Sequence, residues 1–390
     1  MKVNNLKVED ICDFIGGSQP VKSEFINQPK KGYVRLIQIR DYKSDAFMTY
    51  IPKDSTSKFC DENDIMIGRY GPPIFQICRG LKGAHNVALI KAEPKDFVYR
   101  EFLYYFLKQD SVFKYVEKLS DRTGGQTGVD LFSLNKYPVR IPADLEDQKK
   151  IVTILVEIDK KIKINKDINA NLESMIKLIF NYWFVQFEFP DEKDKAYKSS
   201  GGKMIYDNKL KREIPHNWEV AKFGKYNKIK RGELITKETI APGNIKVVAA
   251  GLKHAYFHST SNYKENTITV SASGANAGLI NFWREPIFAS DCIAIRGSSD
   301  INTFFAYYNL MLFQKHLLKQ ASGSAQPHVY PKDVSEINYI VPPKRLLEKF
   351  GNFVLPCNNK IAVNLRETET LTKLRDWLVP MLMNGQVKIK

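Results

Sequence analysis

The sequence has few cysteines and no two of them two residues apart. Cys12, Cys60, Cys78, Cys292 and Cys357 are scattered and odd in number. That excludes a cysteine-rich structural zinc site and points to a reducing compartment, the cytoplasm by default. Long apolar runs are missing as well. No stretch approaches the length of a membrane-spanning helix, and the opening Met1-Lys-Val-Asn-Asn has no apolar signal-peptide core. Enzyme signatures are also lacking. There is no Gly-x-x-x-x-Gly-Lys-Ser/Thr loop for nucleotide phosphates. No Asn/Asp-Pro-Pro-Tyr/Phe run for adenine methylation occurs, since Tyr70-Gly-Pro-Pro73 and Val341-Pro-Pro343 lack its polar first residue. His254 and His258 have metal-like spacing, but no Glu follows the first and no long helix surrounds them. Pro190-Asp-Glu-Lys193 bears a faint likeness to a nuclease carboxylate–lysine site, within a run that reads as a solvated charged stretch.

Acidic residues are in deficit. Against 59 Lys and Arg stand 43 Asp and Glu, leaving a net charge of +16 on 390 residues. An excess of that size favours a polyanionic partner. The basic residues are spread along the chain, so a basic surface must be assembled by folding. The length suits two or three domains.

What the chain does have is internal repetition. Residues 145–184 carry a heptad seam: Ile151, Leu155, Ile158, Ile162, Asn165, Asn169, Leu172, Ile176, Ile179 and Trp183. Steps of four and three mark helices that pack along their length. Adding 199 gives a fainter copy over 345–383, with Phe350, Val354, Ile361, Asn364, Leu371, Leu378 and Leu382 on the seam. Pro356 lies inside this copy and is expected to kink or interrupt the helix. Asn165 and Asn364 are equivalent and near the middle, so they are expected to pair and fix the register, unless both point to solvent at the seam edge.

A second offset, 203, carries Glu62-Asn63-x-Ile65-x-Ile67-x-x-x-Gly71 onto Glu265-Asn266-x-Ile268-x-Val270-x-x-x-Gly274, a strand running into a turn. It also carries Phe102-x-Tyr104-Tyr105-x-Leu107 onto Phe305-x-Tyr307-Tyr308-x-Leu310. The paired tyrosines read as helix core rather than a stacking platform. After each helix comes a small-residue loop, Thr123-Gly-Gly-Gln126-Thr-Gly128 and Ser322-Gly-Ser-Ala-Gln326, then a strand ending at proline. The order strands, helix, loop, strand, long helix is that of an α+β module present twice. Two repeats in one chain favour a pseudo-two-fold arrangement.

For DNA, Arg and Gln in loops suit base edges, and Lys and Arg suit phosphates. Arg69, Tyr70, Arg122 and Gln126 are the base-reading choices in the first module, and Gln326 and His328 in the second. Lys22, Arg79 and Lys82, then Lys228, Lys230 and Arg231, are the phosphate choices. Each is also an ordinary surface residue type.

Three local runs resemble the DNA-specificity subunit of type I restriction–modification systems, over nearly the whole chain. Ile141-Pro142 with Leu145-Glu-Asp-Gln148-Lys-Lys-Ile151 resembles the entry to that family's first spacer, with Asp147 inserted. Asn181-Tyr-Trp-Phe-Val-Gln-Phe-Glu-Phe-Pro190 resembles its aromatic exit, and Ile214-Pro-His-Asn-Trp218 the opening of its second domain, with Asn217 where Gly is usual. The second spacer lacks the Glu-Gln signature. The resemblance implies target-recognition domains at 1–145 and 213–344, spacer helices at 146–186 and 345–384, and a linker at 187–212. It implies that the two helices pack as an antiparallel coiled coil and that each domain reads half of a split, asymmetric target in double-stranded DNA. It further implies two modification (methyltransferase) subunits and restriction (translocase/nuclease) subunits as partners, with no catalysis and no cofactor in this chain. S-adenosylmethionine, ATP and Mg would belong to those partners. The alternative is a self-contained methyltransferase or nuclease with duplicated recognition modules, which would turn over on its own.

Overall fold

The computed structural model describes residues 2–71, 73–120, 128–236, 239–251, 253–322 and 327–387. The chain divides into two compact units, residues 1–163 with 369–390, and residues 164–368. Each holds one α+β module and lengths of both spacer helices.

In the first unit an antiparallel sheet runs Cys12–Gly16, Leu89–Pro94, Ile65–Gly68, Ile77–Cys78. Ile65, Met66 and Ile67 are all buried, as expected of a strand covered on both faces. A second sheet runs Tyr50–Pro52, Tyr33–Ile37, Gly83–His85, Phe59–Cys60, with its two middle strands parallel. The stretch that carries the Phe102-x-Tyr104-Tyr105-x-Leu107 pattern forms two helices, Arg100–Leu107 and Asp110–Ser120. Tyr104 and Tyr105 are buried in the core.

The second unit repeats this order. Its antiparallel sheet runs Asn227–Arg231, Cys292–Gly297, Thr267–Ser271, Ile280–Trp283, beside a three-stranded sheet with one parallel pair. Helices Asp300–Leu312 and Gln314–Ser322 follow. Within the stretch read as a linker, Phe187 and Phe189 are buried and pack on Trp218, with ring centroids 5.4 and 5.2 Å away. A hairpin of Met204–Asp207 and Arg212–Pro215 follows them.

The long helices are Leu145–Phe180 and Lys344–Met383, about 54 and 60 Å at 1.5 Å per residue. Pro356 does not interrupt the second, against expectation. Pro356 and Asn352, the residue whose carbonyl loses its bond, are both exposed, while Val354 and Asn358 on the packed side are buried. Pro380 is accommodated in the same way near the helix end.

Seam residues enter the module cores. Ile151, Leu155, Ile158 and Ile162 are buried in the first unit beside Leu378, Val379, Leu382 and Met383, with Leu371 half-buried against them. Ile176, Phe180, Phe184, Phe350, Val354 and Ile361 are buried in the second, with Leu172 half-buried. There the helices run antiparallel: Asn165 bonds Glu367, Asn169 bonds Asn364, and Phe180 packs on Phe350.

Asn165 and Asn364 are both buried but do not bond each other. The Asn165 amide donates to Glu367 Oε2 at 2.8 Å, and the Asn364 amide to Asn169 Oδ1 at 2.9 Å. In the antiparallel crossing each amide meets an acceptor about one turn beyond its counterpart asparagine, Glu367 past Asn364 and Asn169 past Asn165. Among the described residues neither Oδ1 has a partner.

Gln148 latches the first module to its helix. Its Nε2 donates to the carbonyls of Phe97 at 2.9 Å and Pro142 at 3.0 Å, and its Oε1 accepts from the Tyr99 amide at 2.7 Å. It is fully buried. The equivalent position is Leu347, so the second junction lacks this latch.

Asp159 joins three elements of the first unit. Its carboxylate accepts from Arg375 Nη1 at 2.8 Å and from the Tyr105 hydroxyl at 2.7 Å. Burial opposes its ionisation, but the bonds from Arg375 and Tyr105 outweigh it and hold the carboxyl below the usual range. A depressed folded-state pKa stabilises above the unfolded value, near 3.9, and that stabilisation is lost as pH falls through the folded value. Asp159→Asn should therefore cost about 1.5–3 kcal/mol at pH 7. In urea denaturation the gap between variant and wild type should close as pH falls below about 4. A gap that stays constant down to that range would exclude an ionic clamp.

Candidate nucleic-acid interface

Each module places a loop cluster at the end of its buried central strand. In the first, Ile65–Gly68 runs out into Arg69, Tyr70 and Gly71. The Arg69 amide donates to the Ala88 carbonyl at 2.9 Å, and the Val129 amide to the Arg69 carbonyl at 3.0 Å. Tyr70 bridges Gly128 as an isolated β-pair. A Cβ on Gly128 would come within 3.2 Å of the Tyr70 ring, so a side chain there would push the ring aside by a few tenths of an ångström. The Arg69 guanidinium lies over the Tyr70 ring at 5.2 Å, and Tyr70 is 37% exposed. Gly71 turns the chain with φ +96°.

The second module repeats the arrangement with other groups. Ser273 bridges His328, and the Val329 amide donates to the Ala272 carbonyl at 3.0 Å. Gly274 stands at φ +74°. The Ser273 hydroxyl donates to Asp291 Oδ2, and Arg231 Nη2 lies 3.5 Å from Asp291 Oδ1. The His328 ring stacks on Tyr330, which is 54% exposed, at 6.2 Å. Gly232 lets the strand end pass the Ser290 carbonyl, which a Cβ would meet at 2.1 Å.

The structure thus gathers Arg69 and Tyr70 in one cluster, and Arg231 and His328 in another. Arg122, Gln126 and Gln326 lie outside the described residues. Lys228 and Lys230 are exposed on the edge strand Asn227–Arg231, two residues apart and on one face. Two phosphate choices are engaged elsewhere. Arg79 lies 3.9 Å over the buried Tyr104 ring, and Lys82 pairs with Asp61 at 2.9 Å on the surface. Lys22 is exposed in the turn Lys22–Glu24. Sequence reasoning missed Ser273, Asp291 and Tyr330. The offset of 203 from Tyr70 would have found Ser273; Asp291 is reached only through strand pairing.

These groups can donate and accept hydrogen bonds and neutralise phosphate. Burial pushes the thiols of Cys12 and Cys292 up to about 12 and that of Cys60 to about 11, far from a reactive thiolate. Among the described residues no group of three or more His, Cys, Asp or Glu could hold a metal, and no helix is long and apolar enough to cross a membrane.

The chain is 28% identical over 418 residues to the type I restriction enzyme MjaIX specificity subunit of Methanocaldococcus jannaschii, covering 98% of this chain and 93% of that one. It is 23% identical over 372 residues to the HindI specificity subunit of Haemophilus influenzae, covering 76% and 79%. A crystal structure of a type I restriction–modification S subunit from M. genitalium shares the fold, with a TM-score of 0.64 at 18% identity over 98% of this chain and 96% of that one. The family model described as the type I restriction modification DNA specificity domain matches residues 2–174 and again 215–364. With most of its length matched in two copies, the chain belongs to the type I restriction modification DNA specificity family.

Proposed function

We propose that this chain reads a split target in double-stranded DNA as the specificity subunit of a type I restriction–modification complex, and that catalysis belongs to its partners. The observation that carries this is the duplicated loop cluster. Each module presents polar and aromatic groups at the end of a buried strand, and the two sets differ: Arg69 and Tyr70 in one, Ser273, Asp291, Arg231 and His328 in the other. Different groups on one scaffold suit an asymmetric pair of half-sites. Target-recognition domains at 1–145 and 213–344 and spacers at 146–186 and 345–384 follow from this reading.

Two methyltransferase subunits are the proposed docking partners. Each spacer helix carries an exposed apolar ladder outside its seam. Met175, Leu178 and Tyr182 are 48, 69 and 44% exposed. Adding 199 gives Leu374, Trp377 and Met381, the first two 41 and 57% exposed. Apolar rungs at equivalent positions, unpaid for by burial within the chain, suit two copies of one helical partner. Restriction subunits would join through that assembly.

The decisive experiment is co-expression with the methyltransferase subunit and mapping of methylated bases. A split motif should result, and exchange of residues 1–145 for those of a relative should change one half only. Change in both halves, or no split motif, overturns the reading. Lys228→Ala with Lys230→Ala should lower the slope of log affinity against log salt by about two, without altering the motif. Leu178→Asp and Trp377→Asp should each remove one methyltransferase copy, read as a fall from two copies to one by native mass spectrometry.

A further inference from the structure

A continuous polar chain crosses the second unit from one spacer helix, through the module, to the other. Arg284 follows the edge strand Ile280–Trp283. Its Nη2 pairs with Glu173 Oε1 of the first spacer helix at 3.1 Å, and its Nε donates to Asn358 Oδ1 of the second at 2.7 Å. The guanidinium also lies 5.3 Å over the Phe282 ring. Asn358 is 2% exposed, and its amide donates to Asn266 Oδ1 at 3.0 Å. Asn266 stands at φ +59°, and its amide donates to Asp300 Oδ2 at 3.0 Å. Asp300 pairs with Arg296, whose Nη1 also bonds the carbonyl of Asn266 at 3.1 Å and Thr267 Oγ1 at 3.0 Å.

The loop bearing Asn266 leads directly into the strand Thr267–Ser271, which ends at the Ser273 cluster. Apolar packing is non-directional and tolerates small slides. Charge-assisted bonds with a planar fork fix angle as well as distance. The equivalent spacer position in the first unit is Asp159, since 159 and 358 differ by 199. There a half-buried carboxylate bonds the module, through Tyr105, and the opposite helix directly, through Arg375. One spacer position therefore carries the pin in both repeats, built from different residues.

We propose that Arg284 and Asn358 are positioning residues for DNA reading: they lock the second recognition module to both spacer helices and so hold the register at which its half-site is met. This rests on the reading of the chain as a specificity subunit. Neither residue contacts bases. Their role is to forbid small displacements of the module along the helices, and one base step is about 3.4 Å.

The test uses the intact complex with its methyltransferase subunit and a library of sites whose central gap varies one base pair at a time. Wild type should methylate one gap length. Arg284→Ala should keep both half-site sequences but lose discrimination against neighbouring gaps by about tenfold or more, with Arg284→Lys failing to restore it because a single ammonium cannot span Glu173 and Asn358. Glu173→Gln leaves an exposed residue of similar shape, so the fold is safe, and should give a smaller loss in the same direction. Unchanged gap discrimination in Arg284→Ala overturns the proposal, as does an altered half-site sequence, which would make Arg284 a base contact. If Arg284→Ala fails to fold, Glu173→Gln decides, and wild-type discrimination there overturns it. Failure of the underlying reading looks different: wild type itself would then show no split motif.

Discussion

The burial of the spacer seams inside the module cores is the constraint on which the structure depends. Ile151, Leu155, Ile158 and Ile162 are not a private helix–helix interface; they share one core with Phe102, Tyr105 and Ile65. Phe180, Phe184 and Phe350 do the same with Phe305, Ile268 and Trp218. Each helix is longer than an isolated module would require, and each contributes to both units. A module cannot fray from its spacer without exposing several side chains, each worth about 1.5–3 kcal/mol on burial. That shared core ties the strand that ends in the loop cluster to the spacer helix within each unit.

Polar groups then supply what apolar packing cannot. Gln148 and Asn358 are buried and Asp159 is half-buried, and each bonds a group of the module. A buried polar atom without a partner is costly, so such groups select one arrangement among several of similar apolar area. The two asparagines of the seam show the cost in place. Asn165 and Asn364 satisfy their amides and leave an oxygen each without a partner among the described residues.

Much of this was legible in the sequence because repetition is visible without coordinates. The offsets of 199 and 203 identified the seams, the paired tyrosines and the strand ends at Gly71 and Gly274. Resemblance singled out Gln148, whose three backbone bonds give the motif its physical reason. What the sequence hid were partners chosen in three dimensions. Arg79 and Lys82 look like free cations, yet one lies on Tyr104 and the other meets Asp61. Arg284 carried no signal, since Glu173 and Asn358 lie 111 and 74 residues away along the chain. Pro356 does not end the helix; propensity ignores which side of a helix loses its bond. It sits on the wet side, where the loss is small.

The Gln148 latch has a meaning for how such a chain changes over time. All three of its bonds are to main-chain groups, at Phe97, Tyr99 and Pro142. Main-chain geometry survives replacement of the side chains attached to it. The joint therefore works as a standard coupling: a first module of quite different sequence can be seated on the same helix, provided its backbone arrives there in the same shape. What the joint asks of the module is a backbone shape at Phe97, Tyr99 and Pro142, not particular side chains there.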